Sequence, residues 1–138
     1  MLKRTFDIIV SIIAILLSSP IMILIAILIK FTSKGPVFFI QERIGLNGKY
    51  FKMLKFRTML HNSEKKGTGL FSFEDDPRIT NLGHFIRRIS LDEFPQFFNV
   101  LIGSMSIVGP RPPVTYELGD WSTYTPTMRK RFKVKPGI

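Results

Sequence analysis

One uncharged apolar run near the N-terminus constrains this chain more than any other feature. Residues 8–29 read IIVSIIAILLSSPIMILIAILI and contain no charged side chain. As an α-helix at about 1.5 Å per residue, the run would be about 33 Å long, which is enough to cross the core of a bilayer. A cleaved signal peptide is disfavoured, because its apolar region holds only about 7–15 residues before a small-residue cleavage site. Here the residues that follow are KFTSKGP.

The flanks of this run leave its path through the membrane open. Basic residues lie on both sides of it: Lys3, Arg4, Lys30 and Lys34. Because basic residues prefer the cytoplasmic side, this symmetry favours neither orientation of a simple span. The pair Ser19-Pro20 lies in the middle, where proline bends or breaks a helix and serine can satisfy the freed backbone groups. A kinked span and a re-entrant helix that leaves on the side where it entered both fit. We also expect Asp7 to pair with Lys3 or Arg4, one helical turn earlier.

The charge balance indicates an anionic partner. Among 138 residues, Lys and Arg outnumber Asp and Glu by 20 to 10, and the formal net charge is +10. Such an excess is typical of proteins that meet nucleic acid, anionic lipid or a phosphorylated substrate. Thirteen Phe and a positive mean hydropathy favour membrane lipid, and no nucleic-acid-binding motif accompanies the charge, so we expect no nucleic acid partner. The chain has no Cys, which excludes disulfides and thiolate metal sites, and its two His are far apart in sequence, which disfavours a His-based metal site.

The rest of the chain predicts a small α+β domain. Residues 37–45 and 49–59 are rich in β-branched and aromatic side chains and flank the turn sequence Leu46-Asn47-Gly48, which predicts a β-hairpin. A loop is expected over 60–78, a short helix over 80–88 and a second helix over 90–103. A rigid extended turn is expected over 109–113, and the basic C-terminal end is expected to lie on the membrane surface.

The stretch SLDEFPQ, residues 90–96, has two interpretations. Ser90 and Glu93 fit a capping box, and Asp92 is an alternative N-cap with Pro95 in the first helical turn. The same helix start would bind phosphate, with Arg87 and Arg88 as further donors. Adjacent helical residues point about 100° apart, so Asp92 and Glu93 need different roles, such as a nucleophile and a metal ligand or base. An attack by Asp on an anionic diphosphate needs a cation, and Mg²⁺ suits oxygen ligands.

Several segments together carry a family resemblance. In order along the chain they are KRTFD, the apolar run with Ser19-Pro20, GPVFFIQERIG, KFRTM, DDPRIT, LGHFIRRISLDEFPQFFNVLIGSMSIVGPRP and KPGI. They cover almost the whole chain, and the most specific part is SLDE-PQ-NVL-G-MS-VGPRP. The set resembles the bacterial sugar transferases of the small monotopic phosphoglycosyl transferase class.

The resemblance implies an enzyme. Its reaction would be transfer of a sugar 1-phosphate from a UDP-sugar to undecaprenyl phosphate with release of UMP, as the first membrane step of surface glycan assembly. The family's Asp-Glu dyad falls on Asp92, the implied covalent nucleophile, and Glu93, which with Asp92 would hold Mg²⁺. Its phosphate-binding arginine falls on Arg87. Its Pro-Arg-Pro segment falls on Pro110-Arg111-Pro112, where Arg111 would face the nucleotide.

The resemblance also implies a location and a division of the chain. The family's membrane helix is re-entrant and broken at a Ser-Pro pair, which here is Ser19-Pro20. We therefore expect residues 1–34 to form the re-entrant helix and its flanks, and residues 35–138 to form a catalytic domain with interfacial amphipathic helices on the cytoplasmic face of the bacterial inner membrane. Because family members normally continue past the KPGI segment, we expect their usual C-terminal end to be missing here.

Several further side chains are candidates with two interpretations each. Lys55 and Arg57 are candidates for phosphate or lipid contact, or else for a solvated strand edge. Asp75 and Asp76 are candidates for metal contact or for loop solvation, and solvation is favoured for Glu74. Three more side chains have expected structural roles, namely Arg78 as partner of a carboxylate, His84 in packing or at the surface, and Trp121 in packing or at the interface. The alternative function is a non-catalytic basic protein that binds membrane surfaces. The sugar and the oligomeric state cannot be read from these residues.

Overall fold

The computed structural model describes residues 2–63, 76–115 and 121–138. Within these ranges the chain forms a long helix, a β-hairpin and three short helices, which confirms the predicted α+β class. The elements are α1 (Leu2–Thr32), β1 (Phe38–Ile44), β2 (Tyr50–Phe56), α2 (Asn81–Arg88), α3 (Gln96–Ile102) and α4 (Pro126–Arg129), with 3₁₀ turns at Leu46–Gly48, Leu91–Glu93, Trp121–Thr123 and Lys130–Lys133.

Helix α1 contains the whole apolar run, with Pro20 inside it. By length and composition alone, it is the one helix among the described residues that is long and apolar enough to cross a membrane. Its large side chains are exposed on several faces, as in a helix that meets lipid rather than water. The most exposed of these within the run are Leu16, Leu17, Ile23 and Leu24.

The hairpin forms where the turn sequence predicts it. Asn47 and Gly48 both have positive φ, at 54° and 78°, which is the backbone that an Asn-Gly pair adopts most readily. The Gly45 amide donates to the Lys49 carbonyl at 2.8 Å and closes the turn. A Cβ on Gly48 would come within 2.4 Å of the Trp121 ring, so Gly48 also permits close packing of that ring.

The residues divide into two compact units, each assembled from distant parts of the sequence. Unit 1 comprises Met1–Leu17, Ile40–Leu54 and Pro95–Ile138, and unit 2 comprises Ser18–Phe39 and Lys55–Phe94. The predicted division at residue 34 concerns the membrane and stays a prediction.

The core of unit 2 is built on one face of the second half of α1. Met22, Ile25 and Ile29 recur at helical spacing and are buried together with Phe56 of β2. The other buried members of this cluster are Ile86 and Leu91. Burial of such a side chain stabilises the fold by roughly 1.5–3 kcal/mol, so this cluster holds the segments that carry the acidic pair.

Unit 1 contains two apolar clusters. One joins Ile44 to Tyr124 and Phe132, with Trp121 packed edge-on against Phe132 at 5.1 Å between ring centroids. The other cluster consists of Met53, Val100 and Met105. The packing role predicted for Trp121 is therefore confirmed, and the aromatic side chains near the C-terminal end lie in a core while the basic ones around them are exposed.

The first turns of α1 are held by side-chain contacts within unit 1. Arg4 donates to the carbonyls of Val100 and Leu101 at 2.6 and 2.7 Å, at the end of α3. Asp7 accepts from the Ser106 hydroxyl at 3.0 Å and from the backbone amide of the next residue at 3.0 Å. The predicted pairing of Asp7 with Lys3 or Arg4 was wrong, because Arg4 binds carbonyls in the last turn of α3 and Asp7 binds a hydroxyl and an amide of the segment that follows that helix.

Candidate active site

The acidic pair lies on a short turn rather than at a helix start. Helix α2 ends at Arg88, and Ser90 then adopts a left-handed conformation with φ of 57°. The 3₁₀ turn Leu91–Glu93 follows, and α3 begins only at Gln96, with Pro95 as its N-cap residue. Both predicted caps were wrong, since Ser90 makes no side-chain cap hydrogen bond and the N-cap residue of α3 is Pro95 rather than Asp92. The helix start at which a phosphate site was expected therefore lies after the acidic pair, and phosphate binding there stays a prediction.

The turn is anchored by its apolar neighbours. Leu91 is buried in the core of unit 2, and Phe94 packs against the same cluster. The two carboxylates between them are half-buried. Because successive residues in a 3₁₀ turn point about 120° apart, Asp92 and Glu93 leave the backbone in different directions, as their predicted unequal roles require.

Glu93 is paired with Lys55 of β2. The Lys55 Nζ lies 2.7 Å from the Glu93 Oε1, and the two side chains are 14% and 26% exposed. Partial burial protects this pair from solvent screening better than an exposed surface pair. Lys55 is therefore the charged partner of Glu93. It is not the freely solvated strand-edge residue that the sequence left as one alternative.

Asp92 has a perturbed carboxyl group. Burial raises its pKa above the ordinary range, the Lys55 charge lowers it, Glu93 raises it, and Arg87 lowers it. The burial effect outweighs the cations, since the net direction is upward. A carboxylate that is poorly solvated and faces cations is suited to attack an anionic electrophile whose charge those cations offset.

Arg87 occupies the last turn of α2 and is fixed by a hydroxyl. Its Nε donates to the Thr58 Oγ1 at 2.8 Å. Burial lowers the pKa of Arg87, and the charge of Asp92 raises it. The predicted phosphate ligand thus lies in the same unit as the acidic pair and is electrostatically coupled to it.

The acidic residue Asp76 forms a structural ion pair with Arg78. The Asp76 carboxylate accepts from the Arg78 Nε at 2.9 Å and from its Nη2 at 2.6 Å. The Arg78 guanidinium lowers the pKa of Asp76 to about 2. The prediction that Arg78 serves a carboxylate is confirmed, and this geometry favours neither metal contact nor solvation for Asp76. Glu74 and Asp75 lie outside the described residues. His84 is exposed, as expected.

Arg57 is held by the residues that follow α1. It is buried, and its Nη1 donates to the Lys34 carbonyl at 2.6 Å while its Nη2 donates to Ser33. These are the contacts of a structural residue. Its predicted role as a phosphate ligand stays a prediction, as does the corresponding role of Lys55.

The Pro-Arg-Pro segment belongs to unit 1. Pro110, Arg111 and Pro112 line an open cleft together with Arg131 and Phe132. Hydrogen bonds from Arg43 and Arg131 hold this extended segment, to the Pro112 carbonyl at 2.8 Å and to the Arg111 carbonyl at 2.7 Å. The Ile44 and Gly137 amides donate to the carbonyls of Pro113 and Pro110 at 3.2 and 3.0 Å. The Arg111 side chain is exposed, and its predicted role towards a nucleotide stays a prediction.

Asp92 and Glu93 are the candidate ligands of a metal ion. Within the part of the chain that the structure describes, no three acidic or histidine side chains cluster as a metal site. Mg²⁺ commonly binds through one or two carboxylates, several waters and substrate phosphates. Asp92 and Glu93 supply that donor set, so these residues fit a magnesium ion that arrives with a phosphorylated substrate.

Comparison with known proteins identifies the family. The family model described as "Bacterial sugar transferase" matches residues 1–138. The chain belongs to the bacterial sugar transferase family.

A UDP-N-acetylgalactosamine-undecaprenyl-phosphate N-acetylgalactosaminephosphotransferase from Aeromonas hydrophila is 44% identical over 99% of this chain and 32% of its own length. A UDP-glucose:undecaprenyl-phosphate glucose-1-phosphate transferase from Klebsiella pneumoniae is 47% identical over 99% of this chain and 29% of its own length. The exopolysaccharide production protein ExoY from Sinorhizobium fredii is 39% identical over 99% of this chain and 65% of its own length. The chain therefore spans about a third of the first two relatives.

Sequence reasoning missed two residues whose side chains join distant segments within each unit. Thr58, which binds Arg87, lay inside the KFRTM motif, but nothing in the local pattern distinguished it from its neighbours. Asn99 is buried and bridges to β2. A buried amide beside apolar helical positions was the available signal for Asn99, because buried polar groups need partners.

Proposed function

We propose that this chain carries the catalytic part of an enzyme that transfers a sugar 1-phosphate from a UDP-sugar to undecaprenyl phosphate and releases UMP. The observation that carries the proposal is the perturbed carboxyl of Asp92 beside the Lys55–Glu93 pair and the charge of Arg87. Membership of the sugar transferase family supports it, as do relatives whose names state this type of transfer. This reaction would be the first membrane step in the assembly of a surface glycan.

Asp92 acts as the nucleophile in this mechanism. One of its carboxylate oxygens forms a bond to the sugar-bearing phosphorus as the bond from that phosphorus to the UMP oxygen breaks. A phosphate oxygen of undecaprenyl phosphate then attacks the same phosphorus, and the bond to Asp92 breaks. The carboxylate is regenerated, no proton is consumed, and ping-pong kinetics follow.

The neighbouring side chains have supporting roles. Arg87 binds a phosphate of the substrate and offsets its charge, since guanidinium groups form strong charge-assisted bonds with phosphate. Lys55 neutralises Glu93 through their 2.7 Å pair, which reduces repulsion between Glu93 and the incoming diphosphate. Without these cations, a carboxylate would be repelled by its own substrate.

Magnesium fits the same site. We propose that Asp92 and Glu93 hold the ion together with the substrate phosphates. A bound Mg²⁺ would neutralise charge on the phosphates and stabilise the charge that develops on the leaving UMP. The Pro110–Pro112 segment would contact the nucleotide through Arg111.

The proposal includes a re-entrant path for α1 with the break at Ser19-Pro20. Arg4 at the start of the helix binds the carbonyl of Val100 in unit 1, and Arg57 binds the carbonyls that follow the helix in unit 2. Each end of α1 is thus bonded to a polar segment that lies downstream in its own unit. We propose that both ends, and with them the catalytic domain, lie on the cytoplasmic face of the bacterial inner membrane.

The decisive experiment is the Asp92→Asn variant in lipid nanodiscs. We expect UMP release from a UDP-sugar to be abolished, because the amide is a poor nucleophile, while the melting temperature stays close to that of the wild type. The matched control is Glu42→Gln, which neutralises an exposed carboxylate on β1 and should leave the rate unchanged.

A labelling experiment tests the covalent intermediate separately. With a UDP-sugar that carries a radioactive sugar and without undecaprenyl phosphate, we expect label on the wild-type protein but none on Asp92→Asn. Normal turnover by the Asn variant contradicts the nucleophile assignment. A wild-type protein that releases no UMP with any UDP-sugar, and still binds anionic vesicles, supports the membrane-surface binder instead.

A further inference from the structure

Thr58 holds both ends of helix α2 against the end of the hairpin. Its backbone carbonyl accepts from the Thr80 amide at 3.0 Å, where Thr80 is the N-cap residue. Its hydroxyl accepts from the Arg87 Nε at 2.8 Å, in the last turn of the helix. The side chain and backbone of one buried residue therefore control the position and rotation of this eight-residue helix.

Gly83 makes this arrangement sterically possible. Gly83 and Arg87 are four residues apart, so they share one face of α2. A Cβ on Gly83 would lie 2.1 Å from the Thr58 carbonyl oxygen, closer than any real contact. The missing side chain lets Thr58 approach the helix axis, where its hydroxyl meets the Arg87 Nε.

The bond at Nε determines the orientation of the whole guanidinium group. All five N–H groups of an arginine lie in one plane in a rigid fork. A partner on Nε therefore fixes the direction in which the two terminal nitrogens point. For an arginine that meets a phosphate, this direction decides whether a bidentate contact forms.

We propose that the Thr58 hydroxyl is a positioning group that orients the Arg87 guanidinium for the sugar-bearing phosphate. This inference rests on the proposed function and adds a residue to it. Thr58 is buried and does not itself touch substrate in this scheme. Its effect on the reaction passes entirely through Arg87.

The test compares two substitutions of Thr58 in nanodisc-embedded protein. Thr58→Val keeps the branched shape but removes the acceptor, and Thr58→Ser keeps the hydroxyl. Because the net effect of one hydrogen bond to a charged group is on the order of tenfold or more, we expect kcat/KM for the UDP-sugar to fall about tenfold in the Val variant. The Ser variant should stay within about threefold of the wild type, by the same reasoning on hydrogen bonds.

A double-mutant cycle separates positioning from simple stability. In an Arg87→Lys background, where no guanidinium remains to orient, Thr58→Val should produce little further loss of kcat/KM. The matched control is Thr125→Val, which removes another threonine hydroxyl that accepts a backbone amide, that of Met128 at 3.3 Å. Thr125→Val should leave kcat/KM unchanged in both backgrounds.

Each outcome decides between the hypotheses. Wild-type kcat/KM in Thr58→Val, or an equal loss with and without Arg87, overturns the positioning role while the proposed function stands. If the Val variant fails to fold, Thr58→Ala takes its place. An Ala variant that folds and loses activity, while the Ser variant stays active, supports the positioning role. Full activity of the Ala variant overturns it. A wild-type protein without UMP release contradicts the proposed function and this inference together.

Discussion

Replacement of Asn99 by leucine tests how α3 is attached to the hairpin. The Asn99 side chain is buried, and its Oδ1 accepts from the Leu54 amide at 2.9 Å while its Nδ2 donates to the Lys52 carbonyl at 2.7 Å. The amide of Asn99 therefore imitates the peptide group of a third strand along this part of β2. It satisfies backbone groups that an edge strand otherwise leaves open.

The expected loss of stability follows from these two bonds. A buried backbone group left without a partner costs about 1–3 kcal/mol. The Lys52 side is exposed, so water compensates part of the loss there, and we expect Asn99→Leu to lower the free energy of unfolding by about 2–4 kcal/mol. For a chain of this size, that loss corresponds to a decrease of about 8–16 °C in melting temperature.

The assay is thermal unfolding of the protein in nanodiscs, followed by circular dichroism. Ser104→Ala is the matched control, because Ser104 forms only weaker bonds to Asn99, at 3.1 and 3.3 Å, and its loss should cost at most about 1 kcal/mol. A melting temperature for Asn99→Leu within about 2 °C of the wild type would refute the strand-mimic argument.

Two further predictions concern the acid limb of the rate and the path of α1. Burial raises the pKa of Asp92, and the Lys55 charge lowers it. The Lys55→Met variant should therefore raise that pKa further and move the acid limb of the pH–rate profile to higher pH. An unchanged acid limb speaks against Asp92 as the titrating nucleophile. Single cysteines placed before Lys3 and after Lys34 in sealed vesicles should react with a membrane-impermeant reagent from the same side, and reaction from opposite sides excludes the re-entrant path.

The sequence predicted the elements whose signals are local. The Asn-Gly pair is almost sufficient for the hairpin turn, because few residues accept two successive positive φ angles. The short helix α2 was also predicted within one residue, since Thr80 is a good N-cap and the apolar spacing is helical. The start of the next helix was wrong, because Ser90 adopts a left-handed conformation that local propensity disfavours. The burial of Leu91 and Phe94 in the core of unit 2 accompanies that conformation.

By itself, the sequence determined the apolar helix, the mixed α and β composition, and an adjacent carboxylate pair in a basic chain that resembles a sugar transferase. These properties depend on chemical type and on spacing along the chain, and both can be read directly. The tertiary structure decided which cation serves a carboxylate that lies far away in the sequence: Lys55 pairs with Glu93 across 38 positions. Such pairings depend on distances between segments that are far apart in sequence, and burial of the core sets those distances. For the same reason only the fold assigned Thr58 to Arg87.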